Sequence, residues 1–174
     1  KTDESPESDT TVTERVEHEF LPVFDQDCRV LVLGTMPSPK SREEGFYYGH
    51  PRNRFWPLMA EVLQEPCPKT TEEKTRMLLQ HHIALWDVLK SCEIHGAEDT
   101  SIRNPEPNDM GIILSCARIQ AVFATGTKAA SLFKKLCTPV TGISAITLPS
   151  TSPANCRISW EELIREYGRI LEYL

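Results

Sequence analysis

Residues 30–56 read VLVLGTMPSPKSREEGFYYGHPRNRFW, and they contain the strongest structural signal in the chain. Four consecutive aliphatic residues at the start predict a strand that is buried on both faces, as is typical of parallel sheets. Gly34 ends that strand, and a connector rich in proline, glycine and aromatic residues runs to a helix that begins near Asn53. Open α/β sheets bind ligands at the carboxyl ends of parallel strands, so this connector is a candidate binding loop. Its ring and polar side chains include Tyr47, Tyr48, His50, Asn53, Phe55 and Trp56.

The rest of the chain alternates short apolar runs with amphipathic segments. The predicted strands are Arg29–Leu33, Ile83–Val88, Ile119–Ala124 and Ile143–Leu148. The predicted helices are Asn53–Leu63, Thr70–His82, a short helix from Asn108 to about Ala117, Thr127–Leu136 and Ser159–Leu174. Residues 91–109 show no period and are predicted to be irregular. Strands that alternate with helices indicate the α/β class, and we expect a three-layer α/β/α fold with a four-stranded, mainly parallel sheet.

Length and composition favour a single domain over residues 14–174, preceded by an acidic tail at residues 1–13 that we expect to be disordered. The net charge of the chain is −6, but residues 1–27 hold two basic and nine acidic side chains. The remaining residues carry 17 basic and 16 acidic groups. That nearly neutral body permits a local phosphate-binding face, and it lacks the basic stripe that gives strong non-specific DNA binding.

Composition also limits the class of protein. No apolar run is long enough to span a bilayer, and the sequence opens without a hydrophobic secretory segment. The six cysteines are widely spaced and form no C-x-x-C pair, so we expect reduced thiols and neither a zinc nor an iron–sulfur site. The expectation is a monomer without metal or cofactor, located in the cytoplasm near the nucleoid, or in the nucleus if the organism is eukaryotic.

The loops after the four predicted strands should meet at one edge of the sheet and line a single cleft. The first loop begins with Gly34–Ser38, whose backbone amides could bind a carbonyl or phosphate oxygen. One of Tyr47 and Tyr48 is expected to pack in the core, and the other to stack on a base. Asn53 can cap its helix, orient a water molecule, or do both.

The other three loops offer fewer candidate residues. Asp87 ends the second strand, where it can form a structural pair or accept a hydrogen bond from a base N–H. In the third loop, Gly126 is followed by a helix start whose amides, together with Lys128, suit a phosphate. The fourth loop, residues 149–155, reads PSTSPAN. It is either a solvent-exposed turn or a rigid, hydroxyl-rich contact for DNA.

Two stretches resemble the paired motifs of the uracil-DNA glycosylase superfamily: GTMPSPKSREEGFYYGHPRNRFW at residues 34–56 and LPSTSPAN at residues 148–155. The resemblance extends over about residues 15–174 and is closest to the hypoxanthine-DNA (deoxyinosine) glycosylase branch. Mismatch-specific uracil-DNA glycosylases are also similar. The resemblance implies the fold of that superfamily and a monofunctional DNA repair enzyme. Such an enzyme hydrolyses the N-glycosidic bond of a deaminated base, here hypoxanthine or alternatively uracil, and leaves an abasic site.

The resemblance also implies roles for individual residues. Asn53 is the implied catalytic residue, and Tyr48 falls where the family places an aromatic ring that stacks on the extruded base. Met36 stands where relatives carry the Asn or Asp that positions water, and Leu148 stands where several carry a His that stabilises the departing base. The expected base-binding residues are Gly34, Thr35, Met36, Pro37, Tyr48 and Asp87. The expected DNA-binding residues are Ser38, Lys128, Ser150, Thr151, Ser152 and Asn155.

Two other functions remain open at this stage. With Met36 and Leu148 apolar, neither motif shows a general base or acid, so a non-catalytic module that binds a lesion or a nucleotide is one alternative. A doubly wound enzyme for a small phosphorylated metabolite is another, although no G-x-G-x-x-G or Walker-type sequence supports it. Hypoxanthine and uracil both present a carbonyl beside a ring N–H, so the residues do not separate these two bases.

Overall fold

The computed structural model describes residues 13–174, so the predicted acidic tail lies outside the described residues, apart from Thr13. The strands are β1 (Glu14–Glu17), β2 (Val30–Gly34), β3 (Ile83–Asp87), β4 (Leu89–Ile94), β5 (Arg103–Pro107), β6 (Ala121–Thr125) and β7 (Ile146–Leu148). The helices are α1 (Pro39–Glu44), α2 (Phe55–Leu63), α3 (Thr71–Gln80), α4 (Gly111–Leu114), α5 (Thr127–Leu132), α6 (Thr138–Thr141) and α7 (Trp160–Tyr167). Shorter helical turns lie at Asp99–Ser101, Phe133–Cys137, Pro153–Asn155 and Gly168–Tyr173.

Four strands form a parallel sheet in the order β3-β2-β6-β7. Every residue of β2, β3 and β6 is buried, which explains why their sequences are continuous apolar runs rather than alternating patterns. At one edge of the sheet Gly34 pairs with Asp87, and Thr125 pairs with Leu148. The predicted four-stranded parallel sheet is confirmed, and the carboxyl ends of its strands lie side by side.

A second sheet, in the order β1-β4-β5, is antiparallel. The prediction of an irregular segment at residues 91–109 is therefore wrong, because β4 follows β3 after the single residue Val88 and β5 returns beside it. The pattern of apolar residues does not indicate this sheet, because β5 reads RNPEP and has no buried side chain, and β1 has only one. The amides of Val88 and Leu89 donate to the carbonyls of Gly34 and Thr35 at 2.8 and 3.1 Å. The bend between the two sheets is thus fastened to the first loop.

The helices flank the parallel sheet and are shorter than predicted. Ser159 caps α7 as expected, and Thr70 and Glu73 form a reciprocal capping box at the start of α3. The single helix predicted at residues 127–136 is instead α5 followed by a π-helical turn, which leads into α6. No helix within residues 13–174 is both long and apolar enough to cross a bilayer.

Candidate active site

A cavity of about 320 Å³ opens at the carboxyl edge of the parallel sheet. The first loop, the end of β3, the end of β6 and the fourth loop all contribute to its walls. The predicted site residues that line it are Gly34, Thr35, Met36, Pro37, Ser38, Tyr48, Asn53, Asp87, Ser150, Thr151 and Ser152. Lys128 and Asn155 do not line it. The fold therefore brings the two sequence motifs together around one space.

The antiparallel sheet supplies a further wall that sequence reasoning missed. Ile94 at the end of β4 lines the cavity, as do Gly96, Ala97 and Asp99 in the connection to β5. Partial desolvation raises the pKa of the Asp99 carboxyl, and the nearby positive charge of Lys128 partly offsets that rise. No sequence signal marks this wall, because residues 91–109 show no apolar period.

Gly34 is the point where the first loop, Asp87 and Tyr48 come closest together. A Cβ atom at Gly34 would lie 2.5 Å from Asp87 Oδ1 and 3.0 Å from the Tyr48 hydroxyl oxygen. Both distances are shorter than the 3.4–4 Å of ordinary contact. The end of β2 therefore has no room for a side chain, and glycine allows the carboxylate and the phenol to approach the backbone.

Both Tyr47 and Tyr48 line the cavity, but Tyr47 also belongs to the buried core, as expected for one of the two. Tyr47 is 2% exposed, and its hydroxyl donates to the Leu21 carbonyl at 2.8 Å. Tyr48 lines the cavity, and one face of its ring stacks on Phe55 with centroids 3.9 Å apart and planes 18° apart. Because Phe55 covers one face of the ring, a planar ligand in the cavity would stack on the other face.

Both the backbone and the hydroxyl of Tyr48 are constrained. Its backbone is in the left-handed region at φ 54°, which is costly for an aromatic residue. Its hydroxyl lies 3.1 Å from Thr125 Oγ1, which donates its own proton to the Leu33 carbonyl at 3.2 Å. Tyr48 must therefore be the donor to Thr125. Burial raises the pKa of the Tyr48 phenol, and the charge of Asp87 adds to that rise, so the phenol is neutral at physiological pH.

Asn53 lies before α2 and joins the two motifs. Its amide oxygen accepts the Phe55 backbone N–H at 2.9 Å and the Thr151 hydroxyl at 2.8 Å. The helix therefore begins at Phe55 rather than at Asn53, with the Asn53 side chain satisfying its first free amide. Because the oxygen already accepts two hydrogen bonds, the group left for a ligand is the amide nitrogen, a donor. A water molecule oriented by Asn53 would therefore be held by this N–H rather than by the amide oxygen.

Arg54, the next residue, fastens the fourth loop. Its guanidinium donates to the carbonyls of Asn155 and Ile158, both at 2.8 Å, and its backbone amide donates to the Thr151 carbonyl at 3.2 Å. With the bond between Asn53 and Thr151, the HPRNRFW element makes four hydrogen bonds to a segment about a hundred residues away in sequence. The fourth loop is therefore fixed in place rather than being a free solvent turn.

Several residues predicted to bind DNA also have structural partners. Ser38 caps α1, because its hydroxyl accepts the Ser41 amide at 3.2 Å. The Asn155 amide donates to the Ser150 carbonyl at 2.9 Å, and the Ser150 hydroxyl accepts the Ser152 amide at 3.1 Å. The hydroxyl-rich loop is thus rigid before any ligand arrives, which lowers the entropy lost on binding. Contact of these residues with DNA stays a prediction.

Asp87 has a partner that sequence reasoning missed. His18 Nε2 lies 2.8 Å from Asp87 Oδ2, and the two side chains are only 2% and 5% exposed. The Asp87 carbonyl accepts the Asn108 amide at 2.9 Å, so Asn108 braces this site instead of capping the short helix predicted after it. The available signal for His18 is a histidine placed between two apolar residues, Val16 and Phe20.

The cavity therefore combines an aromatic face, a buried carboxylate, an amide donor and a rigid hydroxyl-rich loop. Within residues 13–174 no three His, Cys, Asp or Glu side chains gather closely enough to hold a metal ion. Aromatic stacking together with a few polar groups is how proteins hold an unpaired nucleobase.

Known proteins share both the sequence and the fold. The family model of the uracil DNA glycosylase superfamily matches residues 21–172. A curated protein of Methanosarcina acetivorans named hypoxanthine DNA glycosylase is 33% identical over 154 residues, which cover 84% of this chain and 96% of that protein. A protein of the same name from Methanosarcina barkeri is 34% identical over 111 residues, 63% of this chain and 70% of that protein.

A solved structure agrees with these matches. A candidate uracil DNA glycosylase from Methanosarcina acetivorans, solved by solution NMR, superposes with a TM-score of 0.74 at 29% identity. The superposition covers 89% of this chain and 98% of that protein. The resemblance inferred from the two motifs is confirmed, and the chain belongs to the uracil DNA glycosylase superfamily.

Proposed function

We propose that this protein is a DNA glycosylase that excises hypoxanthine from DNA and leaves an abasic site. The observation that carries the proposal is that one cavity is lined both by Tyr48, whose ring stacks on Phe55, and by the buried carboxylate of Asp87. The names of the two curated relatives support the choice of base. The proposed form acts as a monomer without metal or cofactor, in the compartment that holds the organism's DNA.

Base recognition follows from the chemistry of Asp87. Hypoxanthine carries an N–H at the ring position where adenine has only a lone pair. An ionised carboxylate is an acceptor, so it bonds to that N–H and repels the adenine lone pair. Binding of adenine would leave the buried carboxylate without a hydrogen-bond partner, and a mismatch of this kind discriminates strongly between two bases. Uracil presents an N–H beside a carbonyl in the same way, so it is the second candidate substrate.

The base must leave the duplex before it can bind. Extrusion costs a few kcal/mol and costs less for a mispaired base, which favours deaminated sites. Stacking on the free face of Tyr48 returns about 1–3 kcal/mol of that cost. Because Phe55 and Thr125 already fix the ring, the stacking surface needs no rearrangement.

Hydrolysis rests on positioning rather than on a general base. Met36 lines the cavity, Leu148 is fully buried, and neither can move a proton. The amide nitrogen of Asn53 holds the attacking water through the water's oxygen, which keeps a second lone pair for the sugar carbon. The C–N bond breaks with its electron pair on the base, the water oxygen bonds to the sugar carbon, and the proton that this water loses neutralises the departing base anion. Departure of the base makes the sugar cation-like, so a well-placed weak nucleophile suffices. The phosphates of the DNA also stabilise the developing positive charge.

A glycosylase assay tests this proposal. Duplexes with a single deoxyinosine, deoxyuridine or deoxyxanthosine are incubated with excess protein, and abasic sites are revealed by alkali cleavage. We expect cleavage at deoxyinosine, and we expect Asn53→Ala to slow it by at least about 100-fold. Gln80→Ala, an exposed amide on α3, is the control and should cleave like the wild type.

Each other outcome of the glycosylase assay would lead to a different conclusion. Binding of deoxyinosine duplexes without any abasic product would support the non-catalytic module instead. Cleavage at deoxyuridine alone would replace hypoxanthine with uracil as the substrate. An Asn53→Ala variant with the wild-type single-turnover rate would remove Asn53 from the mechanism.

A further inference from the structure

We propose that His18 is a positioning residue for base recognition: it fixes Asp87 so that one carboxylate oxygen stays free to accept the N–H of a deaminated base. This inference rests on the proposed function. It assigns a role to a residue outside both sequence motifs, on the segment that follows β1.

The pair is built as a fixed contact. Nε2 of His18 lies 2.8 Å from Asp87 Oδ2, and both side chains are almost completely buried. A buried carboxylate without a donor is costly, and removal of one partner leaves the other uncompensated. His18 is the side chain that supplies this donor to Oδ2.

The imidazole of His18 cannot turn away. Its ring packs edge-on against Phe20 with centroids 5.8 Å apart, and against Tyr47 at 5.9 Å. Its backbone amide donates to the Lys90 carbonyl at 2.7 Å, which anchors the segment to β4. Ring packing and backbone together hold Nε2 in one direction, so the hydrogen bond holds Asp87 in one rotamer.

The second oxygen of Asp87 is next to other residues that line the cavity. A Cβ atom added to Gly34 would lie 2.5 Å from Oδ1 and 3.0 Å from the Tyr48 hydroxyl, and Gly34, Tyr48 and Asp87 all line the cavity. With Oδ2 engaged by His18, Oδ1 is the oxygen available to a ligand. A carboxylate without His18 would be free to rotate, and Oδ1 would leave the position from which it can accept the N–H of hypoxanthine.

A double-mutant cycle tests the coupling. His18→Phe keeps an aromatic ring among Phe20 and Tyr47 but removes the donor, whereas His18→Asn keeps a side-chain N–H. Asp87→Asn removes the acceptor carboxylate that His18 is proposed to orient. His81→Phe is the matched control, because His81 pairs with Glu65 at 3.0 Å on the surface, away from the cavity.

The readout is the ratio of affinities for a duplex with 2′-fluoro-deoxyinosine, which resists hydrolysis, and for the undamaged duplex. We expect His18→Phe to lower this ratio by about 10- to 100-fold, and His18→Asn to recover most of the loss. In the Asp87→Asn background, His18→Phe should lower the ratio no further. An equal loss in both backgrounds would show a merely structural role and would overturn the inference.

If the His18→Phe variant does not fold, a measurement on the wild-type protein still tests the inference. The His18 Nε2–H signal in an NMR spectrum should be protected from exchange and should shift on binding the deoxyinosine analogue but not the undamaged duplex. A signal that does not respond overturns the inference. The two proposals can be refuted independently. A wild-type protein that cannot cleave deoxyinosine refutes the proposed function. If the wild type cleaves deoxyinosine but the effects of His18→Phe and Asp87→Asn are additive, only the role of His18 is refuted.

Discussion

Replacement of Gly34 by alanine tests the central packing of the site with the smallest possible change. The added methyl carbon would lie 2.5 Å from Asp87 Oδ1 and 3.0 Å from the Tyr48 hydroxyl. Neither neighbour can yield freely, because Asp87 is held by His18 and the Tyr48 hydroxyl is held by Thr125. The substitution therefore must displace the carboxylate, the phenol or the end of β2.

The expected magnitudes follow from that geometry. Insertion of one methyl group into a packed interior destabilises a protein by about 1–3 kcal/mol. The distance to Oδ1 must grow from 2.5 Å to the 3.4 Å of ordinary contact. Misplacement of a reacting group by about 1 Å lowers a rate by about 100-fold. Gly34→Ala should therefore lose about 100-fold in single-turnover cleavage of deoxyinosine while remaining folded.

Urea unfolding and the glycosylase assay measure the two effects separately. Gly142→Ala is the control for stability: Gly142 is at φ 71° with no atom within 4 Å of the added carbon, so the variant pays backbone strain away from the cavity. It should lose about 1 kcal/mol of stability and no activity. A Gly34→Ala variant that cleaves at the wild-type rate would refute the argument that Asp87 and Tyr48 must keep these positions.

Three more predictions concern other parts of the structure. Tyr48→Phe keeps the stacking face and loses one hydrogen bond, so it should lose about 1 kcal/mol of stability and less than about 5-fold in cleavage rate. Arg54→Met should free residues 150–158, with faster amide hydrogen exchange there and a loss of about 2–4 kcal/mol in urea unfolding; unchanged exchange would contradict it. Burial raises the pKa of the Cys28 and Cys137 thiols from 9.0 to about 11, so the unfolded chain loses these protons first as the pH rises. The protonated thiols therefore contribute in full to the free energy of unfolding below pH 9, and this contribution falls as the pH rises towards 11. The fall is up to about 1.4 kcal/mol per pH unit for each thiol, and urea unfolding under reducing conditions should show it.

The parallel sheet could be predicted because its strands are buried on both faces, which forces continuous apolar runs such as Val30–Leu33. The meeting of the first and fourth loops at one edge of the sheet could also be predicted, because it follows from the topology of a parallel sheet alone. The antiparallel sheet could not be predicted in this way, because most side chains of β1 and β5 face solvent and β5 contains two prolines. Its stability comes from backbone pairing with β4, which leaves little trace in the residue types.

The candidate site shows the same division. Residue types identified Tyr48, Asn53 and Asp87 as chemically suited to a base, but only the structure gives their partners. His18 pairs with Asp87 across 69 residues of sequence, a distance at which no local pattern operates. The free group of Asn53 is a donor because a threonine in the other motif occupies its oxygen. Which atom of a side chain remains available is set by tertiary contacts and cannot be read from the residue alone.

The bonds from the HPRNRFW element to the fourth loop have a consequence for the order of folding. The Asn53 oxygen meets the Thr151 hydroxyl across 98 residues, and the Arg54 guanidinium meets the Ile158 carbonyl across 104. Contacts of such sequence separation close large chain loops and form late. During synthesis Tyr48 is made early, but the cavity cannot be complete until residue 158 has left the ribosome. The complete cavity therefore forms only after the fourth loop and Ile158 have been made.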